Sequence, residues 1–158
     1  MAKRGIAVPT NVAYCAIDFE RTSLAEALAT SSLDLGAPTF FSWLGVSQYL
    51  TREAIDSTLR FISSMPKGSE IVMEFILPPD SWTPEKNYLT QVVRPVAETG
   101  ERWQTYFTPE EISERLTLLG FSRVSHFTPE DAVARYFVNR LDGLRPPDYS
   151  RPLRAVVQ

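Results

Sequence analysis

Apolar runs of strand length alternate along the chain with stretches of helical period. Val12 to Ile17 (VAYCAI) is apolar and rich in β-formers, and it predicts a first strand. Ser23-Leu24-Ala25-Glu26 has the form of a capping box, so a helix is expected from about Leu24 to Ala29. Pro38 closes a connector. Phe40, Phe41, Ser42 and Trp43 then have the length and composition of a strand buried on both faces. Gly45 marks a turn, and Thr51 stands where it can cap a helix whose Ile55, Leu59 and Ile62 recur at i, i+4 and i+7. Met65-Pro66-Lys67-Gly68 stops that helix, Ser69 to Leu77 (SEIVMEFIL) reads as a strand, and Pro78-Pro79 breaks it.

The pattern is mixed from Pro78 to Gln104. Thr83-Pro84-Glu85 resembles a helix start that Tyr88 to Val93 could continue, within limits set by Pro95 and Gly100, and the stretch reads as a variable connection across the top of the sheet. Thr108-Pro109-Glu110-Glu111 is the strongest local signal: a cap, a proline at the first helical position and an acid two residues later. Ile112, Leu116 and Leu119 make its apolar stripe, and Gly120 is its stop. Phe121 to Phe127 predicts a strand, Thr128-Pro129-Glu130-Asp131 a helix to about Val138, and Leu153 to Val157 a last strand. Strands alternating with helices predict an α/β fold: a mostly parallel sheet with helices on both faces. Periodicity leaves the direction of the last strand open.

Composition narrows the picture by exclusion. A chain of 158 residues, 44% hydrophobic and 22% charged, is most simply one globular domain able to bury a core. The net charge of -3 and scattered basic residues, of which Lys3-Arg4 is the longest run, provide no footprint for nucleic acid or an anionic membrane. No apolar stretch approaches the roughly eighteen residues that a membrane span requires. One cysteine, which cannot form an internal disulfide, and the lack of a signal-peptide core at the start lead to the expectation of a cytoplasmic protein. One His and one Cys do not make a zinc site, so no metal is expected.

A strand whose carboxyl end opens into a glycine turn is where open α/β sheets place ligands, and Phe40 to Gly45 has that form. The wording of the turn is more specific. SWLGVSQYLT resembles the segment after the fourth strand in a bacterial family of S-adenosylmethionine-dependent methyltransferases related to the leucine carboxyl methyltransferases. IDFERTSLAEAL, after the first predicted strand, matches the same family's pattern, and Gly100-Glu101-Arg102-Trp103 is similar to its Gly-Glu-Pro-aromatic element. The resemblance implies a class I methyltransferase fold with an antiparallel last strand, S-adenosyl-L-methionine as cofactor, and a small-molecule or carboxylate acceptor methylated on oxygen.

The resemblance also suggests roles. Asp18 would accept a hydrogen bond from the adenine amine while Phe19 packs on the ring; the alternative is an aspartate that turns the chain. Trp43 and Gly45 would lie beside the methionine part of the cofactor. Many relatives carry glutamate where this chain has Leu44, which removes a partner for the cofactor's amino group. Tyr49, Glu101 and Trp103 are candidates for contact with the acceptor, Tyr49 equally for packing, while for Glu101 a surface-loop glutamate is the commoner explanation. No catalytic residue is identified. His126, the only imidazole, and Cys15, inside an apolar run, both read as structural. Methyl transfer suits so thin an inventory, because the donor is already activated and the protein mainly aligns donor and acceptor.

The resemblance runs from about Gly5 to Val157 yet maps onto the second half of the family's fold. The family's sheet order is 3-2-1-4-5-7-6. The glycine-rich turn after its first strand and the acid after its second have no counterpart, and the chain contains no Gly-x-Gly. The expectation is therefore a truncated form in which Val12 to Ile17 lacks neighbours and the Phe40 to Trp43 strand has an open edge, prone to pairing with a second copy. A non-catalytic module that dimerises through that edge is the competing reading.

Overall fold

The structure is a computed structural model that describes residues 9–82, 102–147 and 149–158. The predicted helix start at Thr83-Pro84-Glu85 and the candidate Glu101 lie outside the described residues.

Four helices and four strands organise the described chain: α1 (Leu24–Leu28), β1 (Phe40–Trp43), α2 (Arg52–Ser63), β2 (Glu70–Ile76), α3 (Pro109–Leu118), β3 (Phe121–His126), α4 (Pro129–Tyr136) and β4 (Ser150–Val157). Short 3-10 turns occupy Ser47–Tyr49 and Pro79–Ser81. The sheet order is β1-β2-β4-β3. β1 runs parallel to β2 from Phe40↔Glu70 to Trp43↔Met73. β4 is antiparallel to both β2 and β3, so three strands share one direction and the last opposes them. This is the class I methyltransferase order 4-5-7-6, with the antiparallel last strand that the resemblance implied.

Local chemistry explains the helix starts. Thr51 Oγ1 accepts the Ala54 N–H at 3.3 Å. In α3 the Thr108 hydroxyl accepts the Glu111 N–H at 3.2 Å while the Glu111 carboxylate accepts the Thr108 N–H at 2.9 Å. Ser23 with Glu26 and Thr128 with Asp131 repeat this reciprocal arrangement at α1 and α4. Gly120, with φ of +99°, ends α3 in the left-handed region. The stripe Ile55, Leu59 and Ile62 is fully buried and shares one core with Ile71, Met73 and Phe75 of β2 and Ile112 and Leu116 of α3. Each such side chain contributes about 1.5–3 kcal/mol by leaving water.

Two expectations are corrected. Val12 to Ile17 forms no strand: it has no ladder, Val12 is 42% and Tyr14 70% exposed, and Cys15 is likewise exposed, its thiol donating to the Ala27 carbonyl at 3.0 Å. Apolar β-formers cannot make a strand without a neighbour to take their backbone hydrogen bonds. The Phe40–Trp43 run is also not buried on both faces. Phe40 is 62% exposed and Trp43 alone of the four is buried, because among the described residues β1 is an edge strand paired with β2. Among the described residues, no helix is long and apolar enough to cross a membrane.

Candidate functional site

The carboxyl ends of β1 and β2 lie side by side, and the chain leaving β1 folds over them. Ser47 anchors this crossing, its hydroxyl donating to the Glu74 carbonyl at 2.7 Å. Gly45 makes the turn with φ of +69°, and its N–H donates to Glu74 Oε2 at 3.1 Å. No atom lies within 4 Å of where a Cβ would sit on Gly45, so the turn needs glycine for its backbone angle and not for space. Leu44 beside it is half exposed and offers no polar atom.

Phe19 leans on Trp43, their ring centroids 6.0 Å apart at 41°. The segment that carries Phe19 is held by Glu20, whose carboxylate accepts the Thr51 N–H at 2.8 Å and its hydroxyl at 2.9 Å. Two of the segments singled out in the sequence thus meet: the turn at Asp18-Phe19 and the exit of β1. Asp18 itself is exposed. One of its oxygens accepts the Glu20 N–H at 3.1 Å and the other faces the exposed Arg21 guanidinium at 3.5 Å. A ligand amine could displace that solvated ion pair at little cost.

Tyr49 and Trp103 are drawn together on the other flank. Gln104 donates its backbone N–H to the Gln48 carbonyl at 2.8 Å and its side-chain amide to the Tyr49 carbonyl at 2.5 Å. Trp103 packs into an aromatic group with Trp82 and Tyr149, centroids 6.4 and 5.9 Å away. Trp82 donates its indole N–H to the Leu77 carbonyl at 3.0 Å. Among the described residues, the buried indole nitrogens of Trp43 and Trp103 and the amide oxygen of Gln48 have no hydrogen-bond partner. Unpaired buried polar atoms around one loop suit a ligand with both donors and acceptors, because each unmet group costs about 1–3 kcal/mol. These features fit the adenine and methionine ends of S-adenosylmethionine.

His126 stays apart from this cluster. Its Nε2 lies 2.7 Å from the Ser113 hydroxyl and its ring packs edge-on against Phe75, with burial holding its pKa below the ordinary imidazole value. Pattern reading missed Glu74, whose carboxylate ties β2 to the Gly45 turn. The available signal was an acid in the middle of the apolar strand EIVMEFI, where a charged group needs a reason.

Comparison with known proteins agrees with this architecture. Residues 1–63 match the family model for leucine carboxyl methyltransferase. Over 142 residues the chain is 31% identical to a Bacillus subtilis (strain 168) protein named "Putative S-adenosyl-L-methionine-dependent methyltransferase YktD", covering 88% of this chain and 46% of that protein. The chain therefore spans less than half the length of the curated relative it matches. Among solved structures, a DUF574 family protein from Streptomyces avermitilis superposes with a TM-score of 0.58 at 17% identity, over 85% of this chain and 51% of that one. Human N-acetylserotonin methyltransferase, in complex with SAM, superposes with a TM-score of 0.54 at 16% identity, over 99% and 36%. At these identities the structures speak for the fold. The fold is that of class I methyltransferases. Within that class, the sequence matches are to the leucine carboxyl methyltransferase model, over residues 1–63, and to a Bacillus subtilis protein named for S-adenosyl-L-methionine-dependent methyl transfer.

Proposed function

We propose that this chain forms the part of an S-adenosylmethionine-dependent methyltransferase that closes on the cofactor and presents the acceptor, transferring the methyl group to an oxygen of a small molecule or carboxylate. The observation that carries this reading is the meeting of Phe19 and Trp43 beside the Gly45 turn, at the carboxyl end of a class I methyltransferase strand. Asp18 would accept a hydrogen bond from the adenine amine and Phe19 would pack on the ring. Trp43 and the Gly45 backbone would flank the methionine portion, and Tyr49, Trp103 and Glu101 are assigned to the acceptor side. The bound cofactor supplies an activated methyl group. The protein's own work is to position the two reactants and exclude water.

A second reading rests on the outer edge of β1, which among the described residues pairs on one side, with Phe40 exposed beside it. Such an edge suits pairing with another chain, and we infer homodimerisation there as the competing use of the fold. Calorimetric titration of the 158-residue chain with S-adenosylmethionine, checked with S-adenosylhomocysteine, separates the two. Micromolar binding weakened by Asp18→Ala supports the methyltransferase reading. A folded chain that binds neither compound and sediments as a dimer supports the module.

A further inference from the structure

Strand alternation gives β2 two unlike faces. Ile71, Met73 and Phe75 enter the core shared with α2 and α3, so Glu74 projects from the opposite face. On that face α4 and the chain entering β4 line a half-open cavity of about 250 Å³. Its walls include Phe127, Ala132, Tyr136, Phe137 and Pro152, and Glu74 is the one charged side chain among its described lining residues. The same carboxylate accepts the Gly45 N–H through Oε2 at 3.1 Å, and its other oxygen has no partner among the described residues. One carboxylate therefore joins an apolar cavity to the turn assigned above to the cofactor.

We propose that this cavity is the acceptor pocket and that it takes a small apolar molecule bearing a hydroxyl group, which donates to the free oxygen of Glu74. This inference rests on the methyltransferase reading, narrows it to one acceptor class, and replaces the assignment of Tyr49, Trp103 and Glu101 to the acceptor by the Glu74 face, whose lining includes none of the three. Size permits a single ring: an apolar cavity of roughly 150 Å³ holds benzene, which leaves room here for short substituents. Charge selects among the candidate oxygens. A carboxylate acceptor would face Glu74 as a like charge in apolar surroundings, where repulsion is poorly screened. An ammonium would surrender strong hydration on entering, at a cost of several kcal/mol. A neutral hydroxyl gives up little and gains a charge-assisted hydrogen bond.

The chemistry balances. The hydroxyl proton passes to Glu74, and an oxygen lone pair forms the new O–CH3 bond as the methyl–sulfur bond breaks. The electron pair of the broken bond stays on sulfur, so a sulfonium and a carboxylate become a neutral thioether and a neutral carboxylic acid.

The test is an NMR titration of the full chain with 4-ethylphenol, 4-ethylanisole and 4-ethylbenzoate, which need no cofactor. The phenol is expected to shift the Gly45 amide and to bind about tenfold or more tightly than the anisole, the loss of one hydrogen bond to a charged group. The benzoate should be weaker still. Glu74→Gln, nearly isosteric, should abolish that ranking, and Ala132→Trp should block all three while circular dichroism shows the fold retained. Equal binding of phenol and anisole, preference for benzoate, or no binding of any of the three overturns the proposal. An intact ranking in a chain that fails to bind S-adenosylmethionine upholds the pocket and removes the methyltransferase reading, whereas cofactor binding without the ranking removes the pocket alone.

Discussion

Replacing Gly45 by alanine separates what the turn costs from what it does. Gly45 has φ of +69°, and nothing lies within 4 Å of the position its Cβ would take, so the substitution meets no steric wall. The cost is that of holding an L-residue in the left-handed region, about 1–2 kcal/mol. In a chain of this length each kcal/mol moves the thermal midpoint by about 2–4 °C, so a fall of roughly 2–8 °C is expected. Gly68 provides the internal standard. It also has positive φ, +87°, and open space around its missing side chain, but it stands at the amino end of β2, away from the turn. Gly45→Ala and Gly68→Ala should therefore lose similar stability by circular-dichroism melting, and Gly45→Asn should recover part of the loss because asparagine tolerates this conformation. Only Gly45→Ala should also weaken calorimetric binding of S-adenosylmethionine. A Gly45→Ala protein as stable as the parent, or one that falls far below Gly68→Ala, would refute a purely conformational cost. Equal cofactor affinity in the two variants would refute the assignment of the turn.

Three further outcomes are expected. Leu59→Ala, at a fully buried site between α2 and the sheet, should destabilise the fold by about 2–5 kcal/mol in urea titration, and a loss under 1 kcal/mol would deny it a central place in the core. Burial depresses the His126 pKa, so the unfolded chain binds the extra proton first. Stability from this group is thus complete above the ordinary imidazole value and lost as pH falls through the folded-state value; His126→Gln should remove that dependence from melts between pH 7.5 and 5.5, and an unchanged slope would contradict it. Phe40→Lys should abolish self-association through the β1 edge in sedimentation velocity, and a dimer that survives it would have to form elsewhere.

The sequence could be read furthest where a signal is local. The capping boxes at Ser23 and Thr108, the Thr51 cap, the stop at Gly120 and the stripe on α2 all stand as read, because each depends on groups a few residues apart in the chain. The strand content was legible in composition but not in partnership. VAYCAI and FFSW carry the same strand-like pattern, yet among the described residues the first joins no sheet and is mostly exposed, while the second pairs with β2 and leaves Phe40 in solvent.

The candidate site divides along the same line. Family wording was enough to single out Asp18, Phe19, Trp43 and Gly45 as candidates, because the resemblance is carried by short contiguous segments. Only the tertiary structure could bring Phe19 onto Trp43 and hold that approach through Glu20 and Thr51, residues 31 positions apart. It alone could aim Glu74 at the Gly45 turn and set Trp103 among Trp82 and Tyr149. Helix starts and stops follow from neighbouring residues competing for the same backbone groups, so the chain determines them unaided. A strand's partner, and the side of a sheet on which a carboxylate meets a cavity, depend on residues far apart in sequence, and the closing of the sheet decides them.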